Sequence, residues 1–194
     1  MDSAKSIIRA RMKKSREDYF KSLSETARVN LNREIGKNIL SLVPAHTCGS
    51  VAGFWPMSSE PDIRSVLETL TLQGCKALLP VTQGAGSPLS FRVWKPGDQL
   101  RENSFKTMEP LSRSPLHDPE VILVPLLAFD GRGHRLGYGA GHYDRTLSQL
   151  QKRKLNVLTI GVAFEIQRVN ELPMSSYDQP LSWVVTEKKV YKFI

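Results

Sequence analysis

Three glycines alternate with other residues over positions 137–141, and polar side chains follow them without a break. Glycine adopts positive φ angles and lets a ligand approach the backbone closely. Successive backbone N–H groups at the start of a helix also attract an anion. The segment therefore predicts a phosphate-binding loop, with a flexible turn as the alternative. Its residues are Arg135, Leu136, Gly137, Tyr138, Gly139, Ala140, Gly141, His142, Tyr143 and Asp144. The spacing Gly-x-Gly-x-Gly is neither the dinucleotide-binding fingerprint nor the P-loop.

Lys5 and Arg9 are candidates for the same chemistry. They lie four residues apart in a segment that reads as helical, so they share one face of that helix. Two cations on one face could hold phosphate oxygens. The alternative is a solvated basic face, because four more basic residues lie between positions 11 and 16.

Two helices are predicted in the first forty residues. Asp2 or Ser3 can cap the first helix, and Ser22–Glu25 has the Ser-x-x-Glu pattern of a capping box that opens the second. Apolar residues of the second helix follow one stripe, and Pro44 is expected to end it.

Short apolar runs in the rest of the chain predict strands. They alternate with helical segments, one of which covers positions 63–70 and ends at Gly74. This alternation predicts an α/β three-layer sandwich with a mostly parallel central sheet and helices on both faces. We expect a single domain over residues 1–194, in which the glycine run lies beyond the carboxyl end of a strand, where open α/β sheets bind ligands. The predicted strands are Ser50–Trp55, Lys76–Val81, Leu89–Trp94, Val121–Phe129, Val157–Phe164 and Trp183–Thr186.

The composition favours an anionic partner and a cytoplasmic location. The formal net charge of +8 over 194 residues suits nucleic acid, an acidic membrane surface or a small anionic ligand. The N-terminus has no apolar core of a signal peptide, and no apolar run is long enough to span a membrane. Cys48 and Cys75 stand far apart without a CxxC partner, so both are expected to be reduced thiols in the cytosol.

The segment RLGYGAGHYDRTL resembles the Arg-x-Gly-x-Gly-x-Gly-[Tyr/Phe]-Tyr-Asp-Arg signature of the 5-formyltetrahydrofolate cyclo-ligase family, also called 5,10-methenyltetrahydrofolate synthetases. Other segments are similar to the family's pattern, in order, along nearly the whole chain. They are KSIIR (Lys5–Arg9), SSEPDI (Ser58–Ile63), WKPGDQL (Trp94–Leu100), MEP (Met108–Pro110) and YDQPLSWVVT (Tyr177–Thr186).

The resemblance implies an enzyme that uses ATP and Mg²⁺ to convert 5-formyltetrahydrofolate into 5,10-methenyltetrahydrofolate, with release of ADP and phosphate. The formyl oxygen is expected to take the γ-phosphoryl group, after which N10 closes the ring and expels phosphate. Such chemistry asks the protein mainly to position the reactants and to neutralise phosphate charge.

The family's motifs also imply roles for individual residues on the nucleotide side. Asp144 and Asp178 match the magnesium positions, and two carboxylates suit Mg²⁺, which keeps several waters. The residues alone leave Asp144 open as a helix-start carboxylate paired with Arg145, and Asp178 as a turn residue before Pro180. In the loop, the arginine would supply charge and the backbone amides direction. The implied nucleotide-binding residues are Lys5, Arg9, Arg135, Gly137, Tyr138, Gly139, Ala140, Gly141, His142 and Tyr143.

The folate side is assigned to Trp55, Glu60, Tyr138 and His142. Glu60 matches the family's acidic substrate contact and could accept hydrogen bonds from pterin nitrogens, although a Glu beside Pro61 also reads as a loop residue. Trp55 could pack against a flat ring of the substrate or belong to the core. His142 departs from the family's Tyr or Phe, and its imidazole keeps a flat face while adding a titratable group. We expect it to stack rather than to transfer a proton.

A basic nucleic-acid-binding module is the alternative function. The net charge and the basic N-terminal helices favour it, but the aromatic residues do not interleave with the basic run, and no RNP1, KH or zinc-finger pattern is present. We therefore expect small-molecule substrates, reduced folate and ATP, with no nucleic-acid or membrane partner and with a monomer favoured. His46, His117 and His134 lack metal-ligand spacing and are assigned no chemistry.

Overall fold

In the computed structural model, which describes residues 2–43 and 49–193, a seven-stranded sheet carries four helices. Helix α1 spans Asp2–Ser22, α2 Glu25–Leu42, α3 Arg64–Leu72 and α4 His142–Lys152, and Glu165–Gln167 forms a short 3-10 helix. The sheet contains β1 (Ser50–Ala52), β2 (Lys76–Thr82), β3 (Leu89–Val93), β6 (Val121–Pro125), β9 (Leu158–Val162), β10 (Trp183–Val185) and β11 (Val190–Lys192). Two hairpins lie outside it, β4 (Leu100–Glu102) with β5 (Met108–Pro110) and β7 (Ala128–Phe129) with β8 (Arg135–Leu136).

The strands of the sheet follow the order β11-β10-β9-β6-β1-β2-β3. The inner strands run parallel to one another. The edge strands β3 and β11 run antiparallel to their neighbours. The predicted mostly parallel sheet is therefore confirmed.

Alternate residues of the inner strands build two apolar layers, because successive side chains of a strand point to opposite faces. Val51 and Leu123 belong to one buried cluster with the apolar sides of α2 and α3. Ala52, which follows Val51, and Ile122, which precedes Leu123, belong to the cluster that includes Leu147 of α4. Helices thus cover both faces, and the three-layer sandwich is confirmed.

The end of α3 confirms the predicted cap at Gly74. Its φ is +92°, its N–H donates to Thr71 O at 3.0 Å, and the N–H of Cys75 donates to Leu70 O at 3.0 Å. This pair of bonds is the Schellman motif, which satisfies carbonyls at a helix end. The cap sends the chain directly into β2, where Cys75 is buried in the core.

The helix starts differ from the predicted ones. Helix α1 already includes Asp2 and Ser3, so neither is its cap. Ser24, not Ser22, caps α2 by accepting a hydrogen bond from the Ala27 N–H at 3.2 Å. The capping box at Ser22 is wrong because α1 continues through that residue, whose hydroxyl donates to a carbonyl within α1.

The predicted end of α2 at Pro44 lies outside the described residues, as do Cys48 and His46. Helix α2 ends at Leu42, and Val43 has φ −116° and ψ 78°. A proline disfavours the helical conformation in the residue before it, and Val43 has such a non-helical conformation.

The predicted strand Val121–Phe129 is interrupted. Strand β6 ends at Pro125, and the carbonyls of Leu126 and Leu127 accept hydrogen bonds from the Gln167 side chain at 2.7 and 3.2 Å. A side chain replaces the strand partner here, so one apolar run becomes two short strands. The second, β7, pairs with β8 and leads the chain into the glycine run.

The direction of the chain across the sheet reverses between β1 and β6. From β1 it passes through α3 to β2 on one side, and from β6 through α4 to β9 on the other. A crevice forms at the carboxyl ends of parallel strands where such a reversal occurs, and this is the usual ligand position in open α/β sheets.

Candidate active site

A cavity of about 1090 Å³ lies at this reversal point. Trp55, just beyond β1, and Pro125, at the end of β6, both line it. A site for one small molecule usually measures about 300–1,000 Å³, so this cavity is slightly larger than that range. Every residue that the sequence assigned to a nucleotide, folate or metal site lines it.

The glycine run forms one wall of the cavity. Gly139 has φ +104° and Gly141, the N-cap of α4, has φ +66°, so both need glycine's conformational freedom. Gly137 has no positive φ, and a Cβ added to it would project into open space. Within the described residues, the backbone N–H groups of 137–141 donate to no protein acceptor. This wall therefore offers free donors beside a helix N-terminus, as an anion site requires.

Arg9 lies against this loop. Its Nε donates to Gly137 O at 3.1 Å, and a Cβ on Gly139 would come within 3.4 Å of its guanidinium carbon. Helix α1 therefore brings a cation to the free amides of the loop.

Arg135 braces the loop from below. The side chain is buried, and its Nη2 donates to Asp144 Oδ1 at 2.7 Å while its Nη1 donates to the Gln179 carbonyl. Burial lowers the pKa of Arg135, and the carboxylates of Asp144 and Asp178 oppose that effect. The alternative pairing of Asp144 with Arg145 is wrong, since Arg145 donates to the Ala140 carbonyl instead.

Lys5 forms a hydrogen-bonded ion pair with Asp178. The same Oδ2 of Asp178 accepts from the N–H and the hydroxyl of Ser175 at 2.7 and 3.0 Å. Partial burial acts to raise the pKa of Asp178, but the hydrogen bonds from Lys5 and Ser175 lower it overall. Asp178 N–H also donates to Ser175 O at 3.2 Å, so the residue belongs to a turn and its carboxylate faces the cavity as well.

Asp144 and Asp178 each keep an oxygen with no hydrogen-bond donor among the described residues. Asp144 uses Oδ1, which also accepts from the Gln179 N–H at 3.1 Å, and Asp178 uses Oδ2. Across residues 2–43 and 49–193, no group of three or more His, Cys, Asp or Glu side chains is placed to hold a metal ion. The donor set is thus two carboxylate oxygens facing one cavity.

Glu60 is buried beside Tyr138 of the glycine run. Its Oε1 accepts from the Tyr138 hydroxyl at 2.5 Å and its Oε2 from the Met57 N–H at 2.9 Å. Burial raises the pKa of this carboxyl, whereas these two hydrogen bonds and the charge of Arg16 lower it. Glu60 is therefore held as a hydrogen-bond acceptor in a protected position.

His142 begins α4 and is held by its neighbours. Its Nδ1 lies 2.7 Å from Ser87 O, to which it can only donate. Nε2 is buried without a hydrogen-bond partner among the described residues. Phe105, at the turn between β4 and β5, meets the imidazole edge-to-face, with 5.5 Å between ring centroids.

Aromatic side chains form the remaining wall. Trp55 packs edge-to-face on Trp94 at 6.0 Å, contacts the core and also lines the cavity. Tyr143 packs against the cluster beneath α4, and burial, with the nearby charge of Glu60, raises the pKa of its phenol.

Sequence analysis did not identify several residues at or near the site. Asn103 and Phe105 come from the β4–β5 hairpin, which carries no apolar period, and no local pattern marks them. Arg16 was counted only toward the alternative of a solvated basic face, but it is 3% exposed. The spacing of Lys5, Arg9, Met12 and Arg16 repeats at helical intervals and could have identified the buried side of α1.

Comparison with known proteins decides the family. The model of the 5-formyltetrahydrofolate cyclo-ligase family matches residues 1–187. The chain belongs to the 5-formyltetrahydrofolate cyclo-ligase family. It is an enzyme of that family, as the sequence resemblance implied. Family membership does not favour the nucleic-acid-binding alternative.

Curated relatives and solved structures agree. The 5-formyltetrahydrofolate cyclo-ligase of Escherichia coli K12 is 32% identical over 179 residues, which cover 89% of this chain and 97% of the relative. That of Mycolicibacterium smegmatis is 34% identical over 148 residues, covering 72% and 74%. The structure of Aquifex aeolicus 5,10-methenyltetrahydrofolate synthetase superposes with a TM-score of 0.79 at 30% identity, covering 97% of this chain and 92% of that one.

A synthetase of the same name from Mycoplasma pneumoniae is similar in fold. Its TM-score is 0.74 at 20% identity, with 96% of this chain covered and 99% of that one.

In the part of the chain that the structure describes, no helix combines the length and the apolar character needed to cross a lipid bilayer.

Proposed function

We propose that this cyclo-ligase family member catalyses the ATP- and Mg²⁺-dependent conversion of 5-formyltetrahydrofolate to 5,10-methenyltetrahydrofolate, with release of ADP and phosphate. The observation that carries the proposal is a cavity in which the nucleotide and folate residues face the same space. At about 1090 Å³ it suits two substrates side by side. The relatives are named 5-formyltetrahydrofolate cyclo-ligase and 5,10-methenyltetrahydrofolate synthetase, which supports the folate substrate and product.

The nucleotide phosphates bind along the glycine run. The unpaired amides of 137–141 supply directed donors, and Arg9 supplies a positive charge that is not held by a carboxylate. Arg135 acts from beneath, where it fixes the loop against Asp144 and Gln179. Lys5 adds charge at the edge of the cavity, partly neutralised by Asp178.

Asp144 and Asp178 fit a magnesium ion. Each offers one carboxylate oxygen without a protein donor, and Mg²⁺ takes few protein oxygens while keeping waters and phosphate oxygens. When bound there, the ion would neutralise phosphate charge.

The folate lies toward Glu60, Trp55 and His142. Glu60 accepts hydrogen bonds from pterin nitrogens. Tyr138 and Met57 each use one acceptor position of its two oxygens, the carboxylate has further acceptor positions, and burial keeps water away. Trp55 and the face of His142 offer flat surfaces to the rings.

The reaction then needs little more than positioning. The formyl oxygen attacks the γ-phosphorus of ATP, the bond to the β-phosphate oxygen breaks, and ADP leaves. N10 then attacks the activated formyl carbon, the bond from that carbon to the phosphate oxygen breaks, and N10 loses its proton. A site that holds formyl oxygen, γ-phosphate and N10 in reach of one another supplies most of the rate enhancement.

A coupled assay tests the proposal. Purified protein with Mg²⁺ and ATP should release ADP only when 5-formyltetrahydrofolate is added, and the near-ultraviolet absorbance of the methenyl product should rise in parallel. ATP hydrolysis that ignores the folate would contradict the proposal. Salt-sensitive retention of nucleic acid without ligase activity would favour the binding-module alternative instead.

The metal part has a test of its own. Asp144→Asn keeps the shape and removes the charge, so half-maximal activity of the folded variant should require roughly tenfold or more Mg²⁺. An unchanged magnesium titration would remove Asp144 from the metal site and leave it as the partner of Arg135.

A further inference from the structure

Arg16 is a buried cation on the same side of α1 as Lys5 and Arg9, but it does not line the cavity. Only 3% of it is exposed. An arginine keeps its charge in proteins, and a buried charge is costly unless its donors find acceptors. Its partners therefore identify the part of the molecule on which it acts.

These partners come from three separate segments. Arg16 Nε donates to Ser59 Oγ at 3.1 Å, and Nη1 donates to Leu126 O at 3.4 Å, just after β6. Nη2 donates to the Tyr138 hydroxyl at 2.7 Å. Nη1 also lies 3.8 Å from Glu60 Oε1. One guanidinium thus joins the loop before α3, the end of β6 and the glycine run.

Tyr138 continues the connection. Its hydroxyl accepts from Arg16 and donates to Glu60 Oε1 at 2.5 Å. The ring stands between Gly137 and Gly139, is 40% exposed and lines the cavity. The chain of contacts therefore runs from the buried Arg16, through Tyr138 of the nucleotide loop, to Glu60, the carboxylate proposed to bind the folate.

We infer that Arg16 is a positioning residue that keeps Glu60 oriented toward the folate and ties it through Tyr138 to the nucleotide loop. The inference rests on the proposed function. It assigns no contact between Arg16 and either substrate, because Arg16 lies behind the cavity wall.

The electrostatics around Glu60 agree with this role. Burial dominates and raises the pKa of its carboxyl above the ordinary value, and the hydrogen bonds from Tyr138 and Met57 and the charge of Arg16 offset part of that rise. Tyr143 of α4 also faces Glu60, whose charge contributes to the raised pKa of the Tyr143 phenol. Loss of the Arg16 charge should therefore raise the pKa of Glu60 further, so that the carboxylate protonates at a higher pH.

Arg16→Gln tests the inference through the split between the two substrates. The KM for 5-formyltetrahydrofolate should rise about tenfold, as expected when one charge-assisted hydrogen bond is misplaced, with a smaller change in the KM for ATP. The acid limb of kcat/KM for the folate should move to higher pH. Arg16→Lys, which keeps the charge, should return the limb toward its original position, and Glu60→Gln should lack it.

Arg11→Gln is the matched control, because Arg11 lies on the same helix and is exposed. It should change neither KM nor the pH profile. If Arg16→Gln shares this behaviour, the inference fails. If Arg16→Gln does not fold, Tyr138→Phe decides, since it cuts the link to Glu60 and keeps the ring. A raised folate KM in that variant supports the inference, and an unchanged one overturns it.

Folate binding to the wild-type protein separates the inference from the proposed function. Titration with 5-formyltetrahydrofolate alone, followed by tryptophan fluorescence, reports on Trp55 in the cavity wall. A wild-type protein that neither binds nor converts the folate contradicts the proposed function. Normal wild-type binding and turnover, with an Arg16→Gln variant of equal folate affinity and equal pH profile, contradicts only the role of Arg16.

Discussion

At the residue scale, the charges of the candidate site are held by oppositely charged partners within the site. Lys5 pairs with Asp178, and Arg135 pairs with Asp144. A buried or half-buried charge is costly when its partner is removed. Substitution of one such residue therefore changes the state of another, which distinguishes these pairs from the exposed pairs on the surface.

Among Lys5, Arg9 and Arg135, only Arg9 has no carboxylate partner in the part of the chain that the structure describes. Its guanidinium donates to the Gly137 carbonyl. Arg9→Ala should weaken ATP binding by about 1.5–3 kcal/mol, because a charge-assisted phosphate contact is lost. The KM for ATP should rise accordingly. The KM for the folate should change much less. Steady-state kinetics with each substrate varied in turn measures both.

Arg11→Ala is the control for Arg9→Ala, since Arg11 is an exposed residue of the same helix. It should leave both KM values unchanged. Equal KM for ATP and equal turnover in Arg9→Ala and the wild type would remove α1 from the nucleotide site.

His142 allows a choice between stacking and proton transfer. The imidazole is fixed by Ser87 O and by the edge of Phe105, and a larger flat ring occupies this place in the family's signature. His142→Tyr should therefore retain turnover, whereas His142→Ala should weaken folate binding by about 0.5–1.5 kcal/mol through the lost ring contact. Steady-state kinetics and folate titrations measure the two effects.

A different result would assign proton transfer to His142. In that case His142→Tyr would bind the folate normally and lose turnover about a hundredfold, or roughly 2.7 kcal/mol in the barrier. The wild-type rate would then also show a near-neutral ionisation that the tyrosine variant lacks.

At the element scale, Gly139 and Gly137 of the loop are expected to serve different purposes, backbone conformation and close approach of a ligand. Gly139→Ala should destabilise the fold by about 1–2 kcal/mol, because a side chain is strained at φ +104°. Gly137→Ala should leave the free energy of unfolding unchanged, since its Cβ would meet open space. It should nevertheless raise the KM for ATP if phosphate approaches the backbone there.

Urea unfolding and ATP kinetics on the two glycine variants separate these effects. A Gly137→Ala enzyme with normal KM for ATP would show that the phosphates keep away from this residue. A destabilised Gly137→Ala protein would mean that the glycine serves the fold instead.

The elements that sequence reasoning recovered are those whose signals are local. Apolar runs predicted the buried inner strands, and Gly74 predicted the end of α3, because a left-handed cap needs glycine. Strand β11 and the β4–β5 hairpin were missed, since their short half-exposed segments have no clear period. The start of α2 was misplaced by two residues, because several nearby serines can cap a helix.

The contacts of the candidate site could not be predicted in the same way. The family's motif named the loop and Asp144, but a pairing such as Arg135 with Gln179, or Arg16 with Tyr138, depends on how distant segments meet. Basic residues on a helix look alike in sequence, and only packing against the β7–β8 hairpin distinguishes the buried side of α1.

At the scale of the whole molecule, the cavity depends on the two ends of the chain. Residues of helix α1 and of the segment Ser175–Gln179 both line it. The hydrogen-bonded pair of Lys5 with Asp178 joins them across 173 positions of sequence. The site therefore forms only when the complete fold has formed, since its charges come from opposite ends of the chain.

The ion pair of Lys5 with Asp178 predicts a pH dependence of the free energy of unfolding. The pKa of Asp178 is lowered in the folded chain by its hydrogen bonds to Lys5 and Ser175, although partial burial opposes them. A carboxyl with a lowered folded pKa stabilises the fold above its unfolded pKa of about 3.9, and this contribution is lost as the pH falls through the folded value. Without Mg²⁺ or nucleotide, Asp178→Asn should thus unfold at lower urea concentration than the wild type at pH 7. The difference should shrink as the pH falls below about 3.9 and vanish only below the lowered folded pKa. Asp118→Asn, which breaks the exposed pair with Arg153, should cost no more than about 1 kcal/mol. Equal unfolding free energies for Asp178→Asn and the wild type at neutral pH would mean that the Lys5 contact does not stabilise the closed cavity.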